Sequence, residues 1–317
     1  MTRKSILTID TDSNFVYLNP YFKYCQNRFS DIDYSQDIKW FSTINSAVLF
    51  LSKFIQMALD KFTSSCNVPE NERPTINMKN EFLYSRLLLT RNKKQYTALL
   101  FLQEGNVVDP PKIDMKGMSI KKANVCVRTR NYFTSLINDY ILKKKSISRS
   151  AILKKFLDFE NEIEQSLRNG EIDFLLPAKA NDPASYKFPE RMPVMRGVII
   201  WDKLFPDNNI QTPAKVNTIK VNCETIDKLE VIKDKYPREY KIIAETIFAN
   251  PDLKNYGFTA LSMPKSVTKI PEFLLPLISY DEIINDNTRV GYLILESLGF
   301  KLVTYNNQEY YTTMVKM

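Results

Sequence analysis

The chain opens with two short, β-prone apolar runs, Ile6-Leu7 with Ile9 and Phe15-Val16 with Leu18, around the polar segment Asp10–Asn14. Such a pair around a polar turn predicts a β-hairpin. Ile44, Ala47, Val48, Leu51, Ile55, Ala58, Leu59 and Phe62 then recur with a period of 3.6 and predict a helix over 42–64. Pro69, Asn71 and Pro74 mark a loop. Phe82–Leu89 and Tyr96–Leu102 flank the turn Arg91-Asn92-Lys93-Lys94 and predict a strand pair over 79–103. Val107–Pro111 reads as a proline-containing loop. Beyond residue 120 helical spacing dominates. Phe133, Leu136, Ile137, Tyr140 and Ile141 share one helical face. A second helix carries Ile152, Leu153, Phe156, Leu157, Ile163 and Leu167, and ends at Asn169-Gly170. Residues 177–193 read as a proline-rich ordered loop, and short strands and helices alternate to the end. The pattern predicts an α+β fold, and no internal repeat is present.

Composition narrows the chemistry. A length of 317 residues suits two domains. The net charge of +8 points to a polyanionic partner. No apolar run reads as long enough to cross a bilayer and no N-terminal signal is apparent, so an intracellular, cytoplasmic protein without a membrane partner is expected. The four cysteines are scattered with no CxxC pair, which argues against a zinc site or a disulfide framework. Histidine is absent, which removes His-dependent triads and zinc sites. With seven glycines and neither GxxxxGK[ST] nor GxGxxG, no glycine-rich phosphate loop is present.

The sharpest local feature is Asp10-Thr11-Asp12-Ser13. Two carboxylates one residue apart at a strand end share a side, because strand side chains alternate. Crowded carboxylate oxygens suit a hard cation such as Mg²⁺, and two-metal phosphoryl transfer requires such a group. An EF-hand loop would need Gly and Glu where Phe15 and Tyr21 stand. An aspartyl-phosphate phosphatase would place Thr or Val where Asn14 stands, and an aspartic protease would read Asp-Thr-Gly. A plain polar turn remains the simplest alternative, since Asp, Thr, Ser and Asn are common turn formers.

Four further segments follow in order. Between two β runs, Asp10-Thr11-Asp12-Ser13 resembles the third palm motif of family B DNA polymerases. Met78-Lys79-Asn80-Glu81 and Lys93-Lys94-Gln95-Tyr96-Thr97-Ala98 resemble the next palm strand and the family's Lys-x-Tyr motif. Asp114-Met115-Lys116-Gly117-Met118, with Lys121-Lys122, resembles the Lys-Gly element at the end of the palm. Pro193-Val194-Met195-Arg196-Gly197-Val198 is similar to the Pro-x-x-Arg-Gly stretch of the thumb in T-even-type phage enzymes.

The resemblance implies the C-terminal half of a palm over 1–119, antiparallel strands plus helices, then a mostly helical thumb over 120–317. It implies Asp12 as a direct ligand of catalytic Mg²⁺, Asp10 beside it, and Glu81 as a nearby acidic position. It further implies Lys94 and Tyr96, with Lys93, as a grip on the primer, and Lys116, Gly117, Lys121, Lys122 and Arg196 as contacts to duplex DNA. Between residues 86 and 155 stand sixteen Lys or Arg against four acids, a net +12 that exceeds the charge of the whole chain. Such a concentration suits phosphate neutralisation.

The sequence also departs from the family. Thr8-Ile9 stand where many members have Tyr-Gly. No Asp-x-x-Ser-Leu-Tyr-Pro, no Lys-x-x-x-Asn-Ser-x-Tyr-Gly and no proofreading region occurs, and only nine residues precede Asp10. The resemblance therefore implies the C-terminal part of a split viral polymerase. It would act on primer-template DNA and dNTP with an N-terminal polymerase polypeptide that brings the second metal-binding Asp. The chain ends at Met317 without the Phe-rich tail by which T-even-type enzymes bind a sliding clamp. The alternative is a non-catalytic duplex-binding protein derived from a polymerase thumb.

Overall fold

The first apolar runs pair as their alternation predicts. In the computed structural model, which describes residues 6–9, 14–34, 37–144, 146–305 and 308–313, β1 (Ile6–Ile9) and β2 (Asn14–Val16) are antiparallel, with Ile9 opposite Asn14. α1 (Asn19–Arg28) follows, a helix that the apolar pattern did not predict. Its buried residues are Phe22 and Cys25 alone, too few to register as a stripe, and Pro20 in the first turn starts it. α2 (Asp37–Ser65) is longer at its N-terminus than expected. β3 (Phe82–Leu89), β4 (Tyr96–Gln103) and β5 (Asn106–Lys116) form a sheet in that order. β5 replaces the loop expected around Val107–Pro111. Its two prolines are accommodated because β5 is an edge strand, where a missing N–H costs no interior ladder bond. Glu104 and Gly105 join β4 to β5 with φ of 49° and 84°, the pattern of a tight two-residue hairpin.

The backbone divides into two units, residues 1–86 with 98–114, and residues 87–97 with 115–317. The first has a thin aromatic core. The Phe22 ring lies edge-on to Tyr34 and Trp40, and the Trp40 and Phe41 rings meet Phe101 at 5.8 and 5.4 Å.

The second unit is densely packed. α3 (Val127–Leu136) runs into a π-helical turn over Ile137–Leu142. α4 (Arg149–Arg168) is capped by the Ser148 hydroxyl, which accepts from the Ala151 N–H. It ends, as predicted, just before Gly170 at φ 74°. Phe133, Phe156, Phe159 and Phe174 are fully buried against one another. β6 (Leu176–Ala180), β7 (Ala214–Cys223) and β8 (Phe258–Pro264) form an antiparallel sheet in that order. β6 occupies the start of the segment expected to be a loop. α5 (Pro193–Leu204) packs on β8. Short helices α6 (Ile226–Leu229) and α7 (Pro237–Ile243) lead to the long α8 (Tyr280–Ser297), then to a hairpin of β9 (Phe300–Tyr305) and β10 (Gln308–Thr313). The fold is α+β, and residues 120–317 contain antiparallel sheet as well as helix.

Candidate nucleic-acid interface

The basic turn between β3 and β4 is closed by hydrogen bonds. The Thr90 N–H and hydroxyl both donate to the Gln95 carbonyl at 3.2 Å, and the Asn92 amide donates to the Gln95 side chain at 3.2 Å. Lys94 adopts the left-handed conformation, φ 60°. Lys93 and Lys94 are exposed on this turn. Tyr96 begins β4 and is 8% exposed, so its ring is largely packed inside the protein.

Twenty-odd residues later the chain returns to the same turn. Gly117 has φ 67°, and a Cβ there would stand 2.6 Å from the Lys94 carbonyl oxygen. Only glycine permits both the conformation and the approach. The two Lys-bearing segments that the sequence separates are thus one structural object. Lys116 is exposed beside Gly117, between buried Met115 and Met118. The next turn is held from below: the Lys121 ammonium donates to the Met115 carbonyl at 2.7 Å, and the Arg130 guanidinium donates to the carbonyls of Ile120, Lys122 and Val125. Lys121 therefore braces the loop through its ammonium, and both Lys121 and Lys122 are exposed.

Arg196 is placed otherwise than expected. It is 3% exposed, donates to the Arg191 carbonyl at 3.1 Å and the Thr259 hydroxyl at 3.1 Å, and lies over the Tyr256 ring. Burial lowers its pKa, against the opposing influence of Tyr256. Its neighbour Gly197 explains the motif: a Cβ there would lie 2.6 Å from the Ser262 backbone nitrogen of β8. The Pro193–Val198 stretch docks a helix on a sheet, and a direct DNA contact by Arg196 does not fit this burial.

The acidic turn itself, Asp10–Ser13, lies outside the described residues. Its flanking strands are paired, and Phe15 of β2 stacks on Tyr84 of β3 at 5.8 Å. The Tyr84 hydroxyl donates to Asp114 at 2.8 Å. Glu81 is exposed immediately before β3, and its carbonyl accepts from the Glu104 N–H at 2.7 Å. Among the described residues no three acids or thiols converge on a metal position.

This arrangement comes with a match to a known family. The model of the divergent family B DNA polymerases covers residues 1–313. The chain belongs to that family. No curated protein matches it. Within this divergent family B chain, the β1–β2 hairpin, the Lys93-Lys94 turn and Lys116-Gly117 all lie inside the matched residues. What that reading missed is the outward face of α2. The expected apolar stripe included Leu51 and Phe62, yet both are exposed, as are Phe50 and Phe54. The available signal was that Phe50, Phe54 and Met57 fall outside the expected stripe, so large apolar residues occupy more of the helix than one stripe. By length and composition α2 is also the one helix among the described residues long and apolar enough to cross a membrane, contrary to the expectation of none.

Proposed function

We propose that this chain is the C-terminal part of a split family B DNA polymerase of the T-even type, active with a separate N-terminal polypeptide. The observation that carries the reading is the joining of the Lys93-Lys94 turn to Lys116-Gly117 in a chain of polymerase lineage. Lys93, Lys94, Lys116 and Lys122 would hold the sugar-phosphate backbone of primer-template duplex, because exposed ammonium groups on a braced loop meet phosphates without reading sequence. Buried Tyr96 would support this turn from behind.

Mg²⁺ would be held by Asp12, with Asp10 beside it and Glu81 near. An all-oxygen carboxylate set fits a hard cation, and the complementary Asp would come from the partner. When bound, the metal would supply charge neutralisation for in-line attack of a primer 3′-hydroxyl on the α-phosphate of a dNTP, in which the new O–P bond forms as the bond to the pyrophosphate leaving group breaks. This chain's own residues would supply carboxylate oxygens to the metal and ammonium groups to the duplex backbone.

The test is reconstitution with the polypeptide of the same genome that carries Asp-x-x-Ser-Leu-Tyr-Pro. The mixture should extend a primer, and Asp12→Ala in this chain should lower the rate at least about a thousand-fold without weakening duplex binding. Normal extension by the Asp12→Ala mixture would overturn the catalytic reading. Duplex binding with no extension in any mixture would favour the non-catalytic alternative.

A further inference from the structure

The first unit is poorly covered. Among the described residues, 15 of the 23 exposed large hydrophobic side chains belong to it, although it makes up about a third of the chain, and only six buried hydrophobic residues do. The deficit centres on α2. Phe50, Phe54 and Met57 follow i, i+4, i+7 spacing, and Phe50 and Phe54 are 66% and 68% exposed. Leu51 and Phe62, itself 64% exposed, widen the stripe. The exposed apolar area of this helix is on the order of 600 Å², taking roughly 200 Å² per large side chain. That is at or beyond the largest patch on an ordinary monomer, and close to one side of a standard protein interface.

The other side of α2 is already engaged. Trp40 and Phe41 pack on Phe101, Thr63 is 1% exposed, and the Gln56 amide donates to Asp60 at 2.9 Å and reaches the Ile76 carbonyl at 3.5 Å. Lys53 lies near the middle of the helix. A bilayer would have to surround those polar groups and the strand packed beside them, whereas a protein need cover only the outer face. A second copy of this chain would cover that face but bring only the same acidic hairpin again. The unit that lacks a finished core is also the unit that carries Asp10 and Asp12, so one partner would supply both the missing packing and the missing carboxylate.

We infer that the outer face of α2, centred on Phe50, Phe54 and Met57, is the docking surface for the polypeptide that completes the palm. The inference rests on the split-polymerase reading and adds the place where the two chains meet.

The test compares Phe50→Asp/Phe54→Asp with wild type in the full chain. Both side chains are exposed, so circular dichroism and the melting temperature of the isolated chain should hold. The dissociation constant with the Asp-x-x-Ser-Leu-Tyr-Pro polypeptide should rise at least thirty-fold, roughly what two central anchors contribute. Phe54→Leu should restore most of the affinity, and Val231→Asp, an exposed apolar position in the second unit, should change nothing. Unaltered affinity in the double variant overturns the inference, even if Asp12→Ala still abolishes extension and so leaves the polymerase reading standing. A self-dimer by sedimentation that the double variant dissolves also overturns it. So does flotation with phosphatidylcholine–phosphatidylserine vesicles that depends on Phe50 and Phe54. No complex with wild type removes the split reading and this inference together.

Discussion

At the scale of single residues, the decisive position is Gly117. Its left-handed backbone and its 2.6 Å approach to the Lys94 carbonyl make one surface from two distant segments. Gly117→Ala forces an unfavourable φ and a backbone clash at once. It should cost about 1–3 kcal/mol of stability. It should also lower duplex affinity several-fold while leaving Lys93, Lys94 and Lys116 chemically intact, as read by thermal melting together with fluorescence anisotropy on a labelled primer-template. The lysines of this surface are legible in the sequence because charge and spacing are written along the chain. The sequence does not show that the Lys121 ammonium donates to the Met115 carbonyl, or that Arg196 is buried. An arginine reads alike whether it faces phosphate or a carbonyl, and only packing tells the two apart.

At the scale of elements, the strongly periodic helices and the β3–β4 pair were legible, because burial on one face imposes a regular pattern. Three features were not. α1 buries only Phe22 and Cys25 and leaves no stripe. β5 contains two prolines, which read as a breaker until the strand is known to lie at an edge. α2 carries exposed Phe50, Phe54 and Met57 outside the single expected stripe, which concealed them. The Pro193–Val198 stretch shows how an element-level cause can look like a functional motif. Gly197 lets α5 approach β8, where a Cβ would meet the Ser262 nitrogen at 2.6 Å. Gly197→Ala should therefore destabilise the protein by about 2 kcal/mol or more through overpacking. Gly105→Ala makes the natural comparison, for its Cβ would meet nothing within 4 Å and only the φ of 84° is strained. It should cost about 1 kcal/mol, and denaturant titration of the two variants would rank them.

At the scale of the whole molecule, the charge is uneven. A net +12 over residues 86–155 outweighs the total of +8, so the rest of the chain is net acidic. Binding to duplex DNA should weaken steeply with salt, because each neutralised phosphate releases counterion. Replacing Lys93 and Lys94 by Gln should reduce the slope of log K against log salt by about 1.8, if both contact phosphate. Arg196→Gln should leave that slope unchanged while lowering the melting temperature, as expected of a buried group whose hydrogen bonds are internal. A slope that fell by about one unit with Arg196→Gln would return that residue to the DNA surface.

The interleaving of the two units has a consequence for how such a chain can change over evolutionary time. The backbone passes from one unit to the other after residues 86, 97 and 114. A chain break anywhere inside 87–114 divides both units at once. Neither unit is a cassette that recombination could lift out and paste elsewhere. The hairpin-bearing unit and the larger unit are inherited together.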